Sequence, residues 1–371
     1  MSIEDSAQTG RAVPVVDGRH RVAVIPGDGI GLQVTRAAVE VLEAALAAAG
    51  GAEAQLEWFD WGSDRYLQTG TYLPDGGLER LREFDAVLFG AVGSPAVPDH
   101  VSLWGLRLAI CQGFDQGICI RPAWRLPNVA SPLRDDDPRA LEFLVVRENS
   151  EGEYAGAGGR VHRGRPEEVA IQTSVYSRGA VERVARYAFD RARARPARSL
   201  CSVTKSNASQ YASVLWDEVV ADVARDYPDV TLESVLVDAM AARLVLNPRS
   251  VDVIVASNLH ADILSDLTAA LVGGLGLAPS GNLSCDRRFP SMFEPVHGSA
   301  PDLPDPSRAN PVGAFLSAGL LLEHVGEGDA AGRLRQAVEG ACAEGILTPD
   351  VGGTSSTAEV TRAVLDRLRR P

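Results

Sequence analysis

Two aspartates four residues apart, Asp262 and Asp266, close the run Asn258-Leu259-His260-Ala261-Asp262-Ile263-Leu264-Ser265-Asp266. On a helix that spacing puts both carboxylates on one face, about 5–6 Å apart at Cβ, where they repel unless a cation lies between them. Oxygen-only ligation suits a hard ion, Mg²⁺ or Mn²⁺, better than Zn²⁺, so His260 is the weaker ligand candidate. The plainer alternative makes Asp262 a helix N-cap and leaves Asp266 in solvent. Asp238, in the apolar setting Leu236-Val237-Asp238-Ala239-Met240, is a third candidate acid.

Three arginines fall in apolar or strand-end settings: Arg107 in WGLRLAI, Arg121 in ICIRP and Arg147 in LVVREN. Guanidinium forks bind carboxylates in pairs of hydrogen bonds, so three converging would suit a di-acid; separate structural salt bridges are the alternative. Of the 36 Lys and Arg residues only Lys205 is a lysine. A guanidinium cannot lose its proton in a protein, whereas an ammonium can, which makes Lys205 a candidate proton shuttle; a stray lysine in an Arg-biased chain is the alternative. Tyr154 is either a proton donor or a packed aromatic.

These residues need a scaffold, and strands alternate with helices from the start. Arg21–Ile25 reads as a strand, Gly27-Asp28-Gly29-Ile30-Gly31 as a tight turn and Val34–Ala49 as a helix. The turn's G-x-G-x-G spacing lacks the final glycine of a dinucleotide fingerprint, which would fall on Leu32. Further strands are expected at 53–60, 85–90, 142–147, 200–204, 231–237 and 251–255, and helices at 74–83, 180–194, 211–227 and 262–272. This rhythm predicts an α/β fold with a parallel or mixed sheet and helices on both faces. Residues 157–178 predict a protruding hairpin arm. The Gly/Pro-rich stretch from Gly273 to about 311 is too broken for regular elements and too long for an idle connector. Amphipathic helices return over 313–370.

The length of 371 residues predicts two domains. A net charge of −13 argues against nucleic acid and anionic membranes as partners. Five widely spaced cysteines without a CxxC pair fit reduced thiols in the cytoplasm. No apolar run reaches membrane-spanning length, no leader pattern opens the chain, and residues 1 to about 19 are expected to form a frayed tail.

The runs IPGDGIG, VRENSEGEY, VTKSNA, LVDAMAARL, NLHADILSD, RRFPSMFEPVHGSAPD and LTPDVGGTSST occur in order from about residue 25 to 357. Together they resemble the metal-dependent decarboxylating β-hydroxyacid dehydrogenases, the isocitrate/isopropylmalate dehydrogenase family. SLWG and FDQ make the chain most similar to the tartrate/D-malate branch. The resemblance implies that family's two-domain fold with a non-Rossmann nucleotide site. Residues 1–115 and 273–371 would form a large discontinuous cofactor domain, and 116–272 a small substrate and dimerisation domain whose arm clasps a second subunit. It implies that Asp262 and Asp266, with Asp238 from the partner, hold Mg²⁺ or Mn²⁺. Arg121 and Arg147 would bind the carboxylate that leaves, and Lys205, also from the partner, and Tyr154 would shuttle protons. NAD would lie on Glu294, His297, Gly298, Ser299, Ala300 and Asn310, with Asp302 at the adenosine ribose repelling the extra phosphate of NADP.

Three departures from the family pattern stand out. Cys111 occupies the place of a substrate arginine, with Arg107 one helical turn earlier as its candidate replacement. Gly117-Ile118-Cys119 replaces the usual Tyr-x-Asn, and Leu303–Arg308 is stiffened by proline. The expected activity is NAD-dependent oxidative decarboxylation of D-malate or tartrate by a homodimer. Isopropylmalate, isocitrate or homoisocitrate as substrate, a catalytically weak regulatory homologue, and an enzyme of phosphorylated hydroxy acids with histidine metal ligands are the alternatives.

Overall fold

The computed structural model describes residues 18–133 and 141–370. Most of the stretch expected to fray lies outside the described residues, but Arg19 already belongs to the first strand. The chain runs through β1 (Arg19–Gly27), α1 (Gly31–Ala49), β2 (Glu53–Trp58), α2 (Ser63–Thr69), α3 (Gly77–Leu81) and β3 (Ala86–Ala91). It continues through α4 (Asp99–Ser102), a π turn (Leu103–Arg107), α5 (Leu108–Gly113), β4 (Ile118–Trp124), β5 (Glu142–Glu148), β6 (Gly158–Val161), β7 (Val169–Gln172), α6 (Arg178–Arg193), β8 (Ser199–Thr204) and α7 (Ala212–Ala224). Then follow β9 (Thr231–Leu236), α8 (Val237–Leu246), β10 (Val253–Ala256), α9 (Asn258–Val272), β11 (Pro279–Leu283), β12 (Ser291–Pro295), α10 (Val312–His324), α11 (Gly328–Ala343) and α12 (Thr357–Leu368).

These elements form two compact units. One takes the described residues of Met1–Gln116, Arg121–Glu142 and Thr268–Pro371, the other Gly117–Ile120 and Phe143–Leu267. The described residues of 121–142, a range that the sequence reading puts with the small domain, group with the first unit.

In the first unit β2, β1, β3 and β12 are parallel neighbours, and β11 pairs antiparallel with β12. β3 is buried at every position, as its unbroken AVLFGA run requires of a strand covered on both faces. Ile25, Phe89, Phe114 and Met292 join one apolar cluster there, and Cys111 is part of it at 2% exposure. Helix α1 buries Val34, Ala38, Val41, Leu42 and Ala45 on one face and ends at Gly50 in the left-handed conformation. Helix α12 opens on a capping box between Ser356 and Glu359.

In the second unit β5, β10, β8 and β9 are parallel throughout. The expected arm is present: β6 and β7 pair antiparallel across the intervening turn and are exposed along their length.

The structure corrects the sequence reading in four places. The 74–83 helix contracts to Gly77–Leu81 because Gly76 takes φ 73°, where the chain breaks direction. Helix α9 begins at Asn258 rather than Asp262, which removes Asp262 from the N-cap. The stretch after Gly273 holds two fully buried strands, β11 and β12, where no regular element was expected. Helix α10, expected to be amphipathic, is buried nearly all round. Among the described residues no helix is long and apolar enough to cross a membrane.

Candidate active site

The second unit builds its polar centre where two neighbouring parallel strands end. The β10–β5 register sets Ala256 beside Arg147, so Asn258, which opens α9 just beyond Ala256, lies next to the end of β5. Arg147 is 2% exposed, and its Nε and Nη2 donate to Asn258 Oδ1 at 3.0 and 2.7 Å. Its Nη1 donates to Asp262 Oδ1. The Tyr154 hydroxyl donates to Asp262 Oδ2 at 3.1 Å, and the Arg147 guanidinium stands 5.2 Å from the Tyr154 ring centre. Three residues read separately from the sequence, Arg147, Tyr154 and Asp262, thus meet at one carboxylate. Asp266 lies one turn further along α9 and is exposed.

The second pair comes from β8 and β9. Their register sets Thr204 beside Leu236, which brings the next residues, Lys205 and the first turn of α8, together. Lys205 Nζ donates to Asp238 Oδ1 at 2.6 Å. That hydrogen bond is the largest cause holding the Asp238 carboxyl below its usual range. Burial holds the His260 imidazole below its ordinary value; the Lys205 charge adds to this and Glu153 opposes it. Among the described residues of one chain, no three His, Cys, Asp or Glu side chains gather as a metal site. Asp238, Asp262 and Asp266 are therefore not assembled within a single protomer.

In the first unit the π turn carries Arg107, a local widening of the helix that often marks functional positions. Arg107 Nε donates to Glu294 Oε1 at 2.8 Å and Nη2 to Asn282 Oδ1 at 3.3 Å. Asn282 Nδ2 also donates to Glu294 Oε1, at 2.7 Å. Arg107 and Glu294, expected to serve substrate and cofactor respectively, are partners of each other here. Cys111 lies in the apolar cluster, and Arg121 is buried at 8% exposure on β4.

The loop after β12 is fixed by the glycine turn after β1. A Cβ at Gly27 would lie 1.9 Å from the Ala91 carbonyl oxygen, and one at Gly29 only 2.2 Å from that of Ser299. Ile30 N donates to the Ser299 carbonyl at 3.1 Å. Asp28, which the sequence reading did not single out, accepts from Ser63 N at 2.7 Å, Ser63 Oγ at 2.6 Å and Gly93 N at 2.8 Å. The GDGIG run is thus a backbone packing device that holds the Ser299 backbone.

His297 Nδ1 lies 2.9 Å from the Gly298 carbonyl oxygen, which can only accept, so Nδ1 carries the hydrogen. Its Nε2 is buried with no hydrogen-bond partner among the described residues, and burial holds the ring neutral by lowering its pKa. A buried, neutral Nε2 acceptor suits an amine N–H donor such as adenine presents. Asn310 bridges Asp350 and the Val312 amide, at 2.9 and 3.1 Å. Ala300 takes φ 47°, and Asp302 and Gly298 are exposed.

Comparison with known proteins identifies the family. The family model described as isocitrate/isopropylmalate dehydrogenase matches residues 21–364. The chain belongs to that family. It is 54% identical over 349 residues to a probable tartrate dehydrogenase/decarboxylase of Agrobacterium vitis, covering 94% of this chain and 98% of the relative. To the D-malate dehydrogenase [decarboxylating] of Escherichia coli it is 44% identical, covering 94% and 99%. To the tartrate dehydrogenase/decarboxylase of Pseudomonas putida it is 45% identical, covering 94% and 98%. The crystal structure of isocitrate dehydrogenase from Methylococcus capsulatus superimposes with a TM-score of 0.84 at 34% identity, covering 95% of this chain and all of that one. The family fold expected from the sequence is the fold found.

The sequence reading missed Asn258, Asn282 and Asp28. Asn258 had a usable signal, since it stands two residues past a buried strand and opens the helix that bears the paired acids. Asn282 and Asp28 act through partners distant in sequence and left no local mark.

Proposed function

We propose that this chain catalyses the NAD-dependent oxidative decarboxylation of a small 2-hydroxy di-acid, D-malate or tartrate, with Mg²⁺ or Mn²⁺, as a cytoplasmic homodimer. The observation that carries the reading is the convergence of the buried Arg147 fork and the Tyr154 hydroxyl on Asp262. That arrangement sets a fixed cation and a proton donor beside a carboxylate carried on the helix of the paired acids. The tartrate and D-malate names of relatives at 44–54% identity support the substrate class.

The all-oxygen set Asp262 and Asp266, completed by Asp238 of the partner subunit, fits a hard divalent cation. The neutral His297 acceptor, Gly298, Ser299, Ala300 and Asn310 fit the adenine side of NAD, with Asp302 at the ribose and Glu294 toward the nicotinamide. When bound, the cation acidifies the substrate hydroxyl and stabilises the enolate charge, and the nicotinamide accepts the hydride. Arg121 and Arg147 orient the carboxylate that leaves, and Arg107 is the candidate for the other carboxylate.

Lys205, with Asp238 as its relay, takes the proton from the hydroxyl as the C–H bond yields its hydride, giving a β-keto acid. The C–C bond to the carboxylate on Arg147 then breaks, its electron pair passes to the keto oxygen side, and carbon dioxide leaves. Tyr154 returns a proton to carbon. On this reading residues 1–115 and 273–371 serve the cofactor and 116–272 the substrate and the dimer.

Exposed apolar residues support a subunit interface on the second unit. Ile171 at 62% and Val161 at 55% lie on the arm, Leu246 at 83% on α8 and Ile263 at 57% on α9. A two-stranded hairpin is at best marginally stable alone, so the arm gains from a covering partner. A screen of D-malate, tartrate, isopropylmalate and isocitrate with NAD and Mn²⁺, read as NADH absorbance, tests the proposal. D-malate or tartrate should give the highest kcat/KM; preference for either of the others overturns the substrate assignment.

A further inference from the structure

The chain passes from Arg147 to Tyr154 through a turn at 148–152, and both ends of that turn converge on Asp262. Whatever holds the turn sets where the guanidinium and the phenol meet. Part of the hold is internal: Glu148, 3% exposed, accepts from Ser150 N at 2.9 Å, Ser150 Oγ at 2.5 Å and Glu151 N at 2.9 Å. Backbone bonds between Gly152 and Val175 hold its end, and α6 grips the turn at two further points. At its start Ser177, the N-cap, donates through both N and Oγ to the Glu151 carboxylate at 2.6 Å. One and a half turns later Arg183 Nη2 donates to Ser150 Oγ at 3.3 Å.

That second grip requires a bare backbone at Gly117. Gly117 is buried, and its carbonyl accepts from Asn149 N at 3.0 Å, so it lies against the same turn. A Cβ at this position would stand 2.3 Å from Arg183 Nη2, 2.6 Å from Cζ and 3.0 Å from Nε. The guanidinium therefore lies in the space a side chain at 117 would take. The clashing atoms are the far end of a flexible side chain, so a methyl group there would push the guanidinium aside without breaking the strand.

We propose that Arg183 is a positioning residue for the reaction: laid over Gly117 and hydrogen-bonded to Ser150, it clamps the turn that aligns Arg147 with Tyr154. Ser150 passes the cation's field to the buried Glu148, since its hydroxyl accepts from Arg183 while donating to the carboxylate. The proposal rests on the functional reading above only for its catalytic consequence. Misplacement of reacting groups by about 1 Å costs on the order of 10²-fold in rate.

The test compares Gly117→Ala, Arg183→Ala, Arg183→Lys and the Gly117→Ala/Arg183→Ala double variant in the full chain. Each is assayed for kcat and KM with NAD, Mn²⁺ and the preferred di-acid, and for hydrogen exchange. Gly117→Ala and Arg183→Ala should each lower kcat by about tenfold or more, leave KM within about threefold, and speed exchange at 148–155 but not in α9. The double variant should match Arg183→Ala, because the added methyl has no guanidinium left to displace. Arg183→Lys should recover part of the loss through its bond to Ser150. Multiplicative losses in the double variant, wild-type kcat in Arg183→Ala, or unchanged exchange at 148–155 would overturn the clamp. If the wild-type chain turns over none of the hydroxy di-acids, the functional reading fails, and the exchange data still decide whether the clamp exists.

Discussion

Replacing Lys205 separates chemistry from folding, because its ion pair with Asp238 is open to solvent. Its Nζ sits 2.6 Å from Asp238 Oδ1, with side-chain exposures of 33% and 65%. An ion pair this open is screened by solvent, so it contributes little to stability. The catalytic role proposed for it rests on the amine's ability to shed a proton. An ammonium can give up its proton in a protein, whereas a guanidinium cannot. Lys205→Arg keeps the charge yet removes the base, so kcat should fall by roughly 10²-fold or more. Lys205→Ala should fall by roughly 10²–10⁴-fold, the usual contribution of a positioned general base. Added small primary amines should restore part of the Ala variant's rate. The readouts are NADH absorbance for kcat and a thermal melt for stability. An Arg variant within about threefold of wild type, or an Ala variant that melts far below it, would refute the assignment.

Other outcomes follow from the scaffold. Asp28→Ala removes the acceptor of three hydrogen bonds joining the glycine turn to Ser63 and Gly93, and should destabilise the fold by about 2–4 kcal/mol, read by urea unfolding. His324 is held neutral by burial and then by the Arg287 charge, with its pKa pushed down to about 3 from 6.5. The unfolded chain then takes up a proton below pH 6.5 that the native state refuses, so stability falls as pH drops from 6.5 toward 3. Between pH 7 and 5 this amounts to at most about 2 kcal/mol, and His324→Gln should flatten that limb of the unfolding curve. On the proposed dimer, Ile171→Arg on the exposed arm should shift sedimentation toward the monomer and lower activity with it.

The sequence disclosed what depends on local pattern. The strand–helix alternation was readable because β3 is an unbroken apolar run, β5 holds the apolar stretch Phe143–Val146, β8 is short and rich in β-formers, and α1 keeps a helical apolar stripe. β11 was illegible because Pro279-Ser280-Gly281-Asn282 carries no strand signal; burial comes from its pairing with β12, and Asn282 is satisfied by Met292 and Glu294. The start of α9 was misplaced because the sequence showed acids at helical spacing but not the Asn258–Arg147 contact that begins the helix earlier. Arg147, Tyr154 and Asp262 were each visible as residue types in suggestive settings. Their meeting is a consequence of β5–β10 register, which no local pattern encodes. The same holds for Arg107: its apolar setting was plain, while its pairing with Glu294 depends on a strand and a π turn far apart in the chain.

The central claim is oxidation coupled to loss of a carboxylate under a divalent cation. Its most direct test is to measure NADH and carbon dioxide together, with D-malate or tartrate as substrate, before and after chelation. The account predicts one carbon dioxide per NADH, both abolished by EDTA and restored by Mn²⁺. NADH formed without carbon dioxide, or turnover undiminished by EDTA, would contradict it.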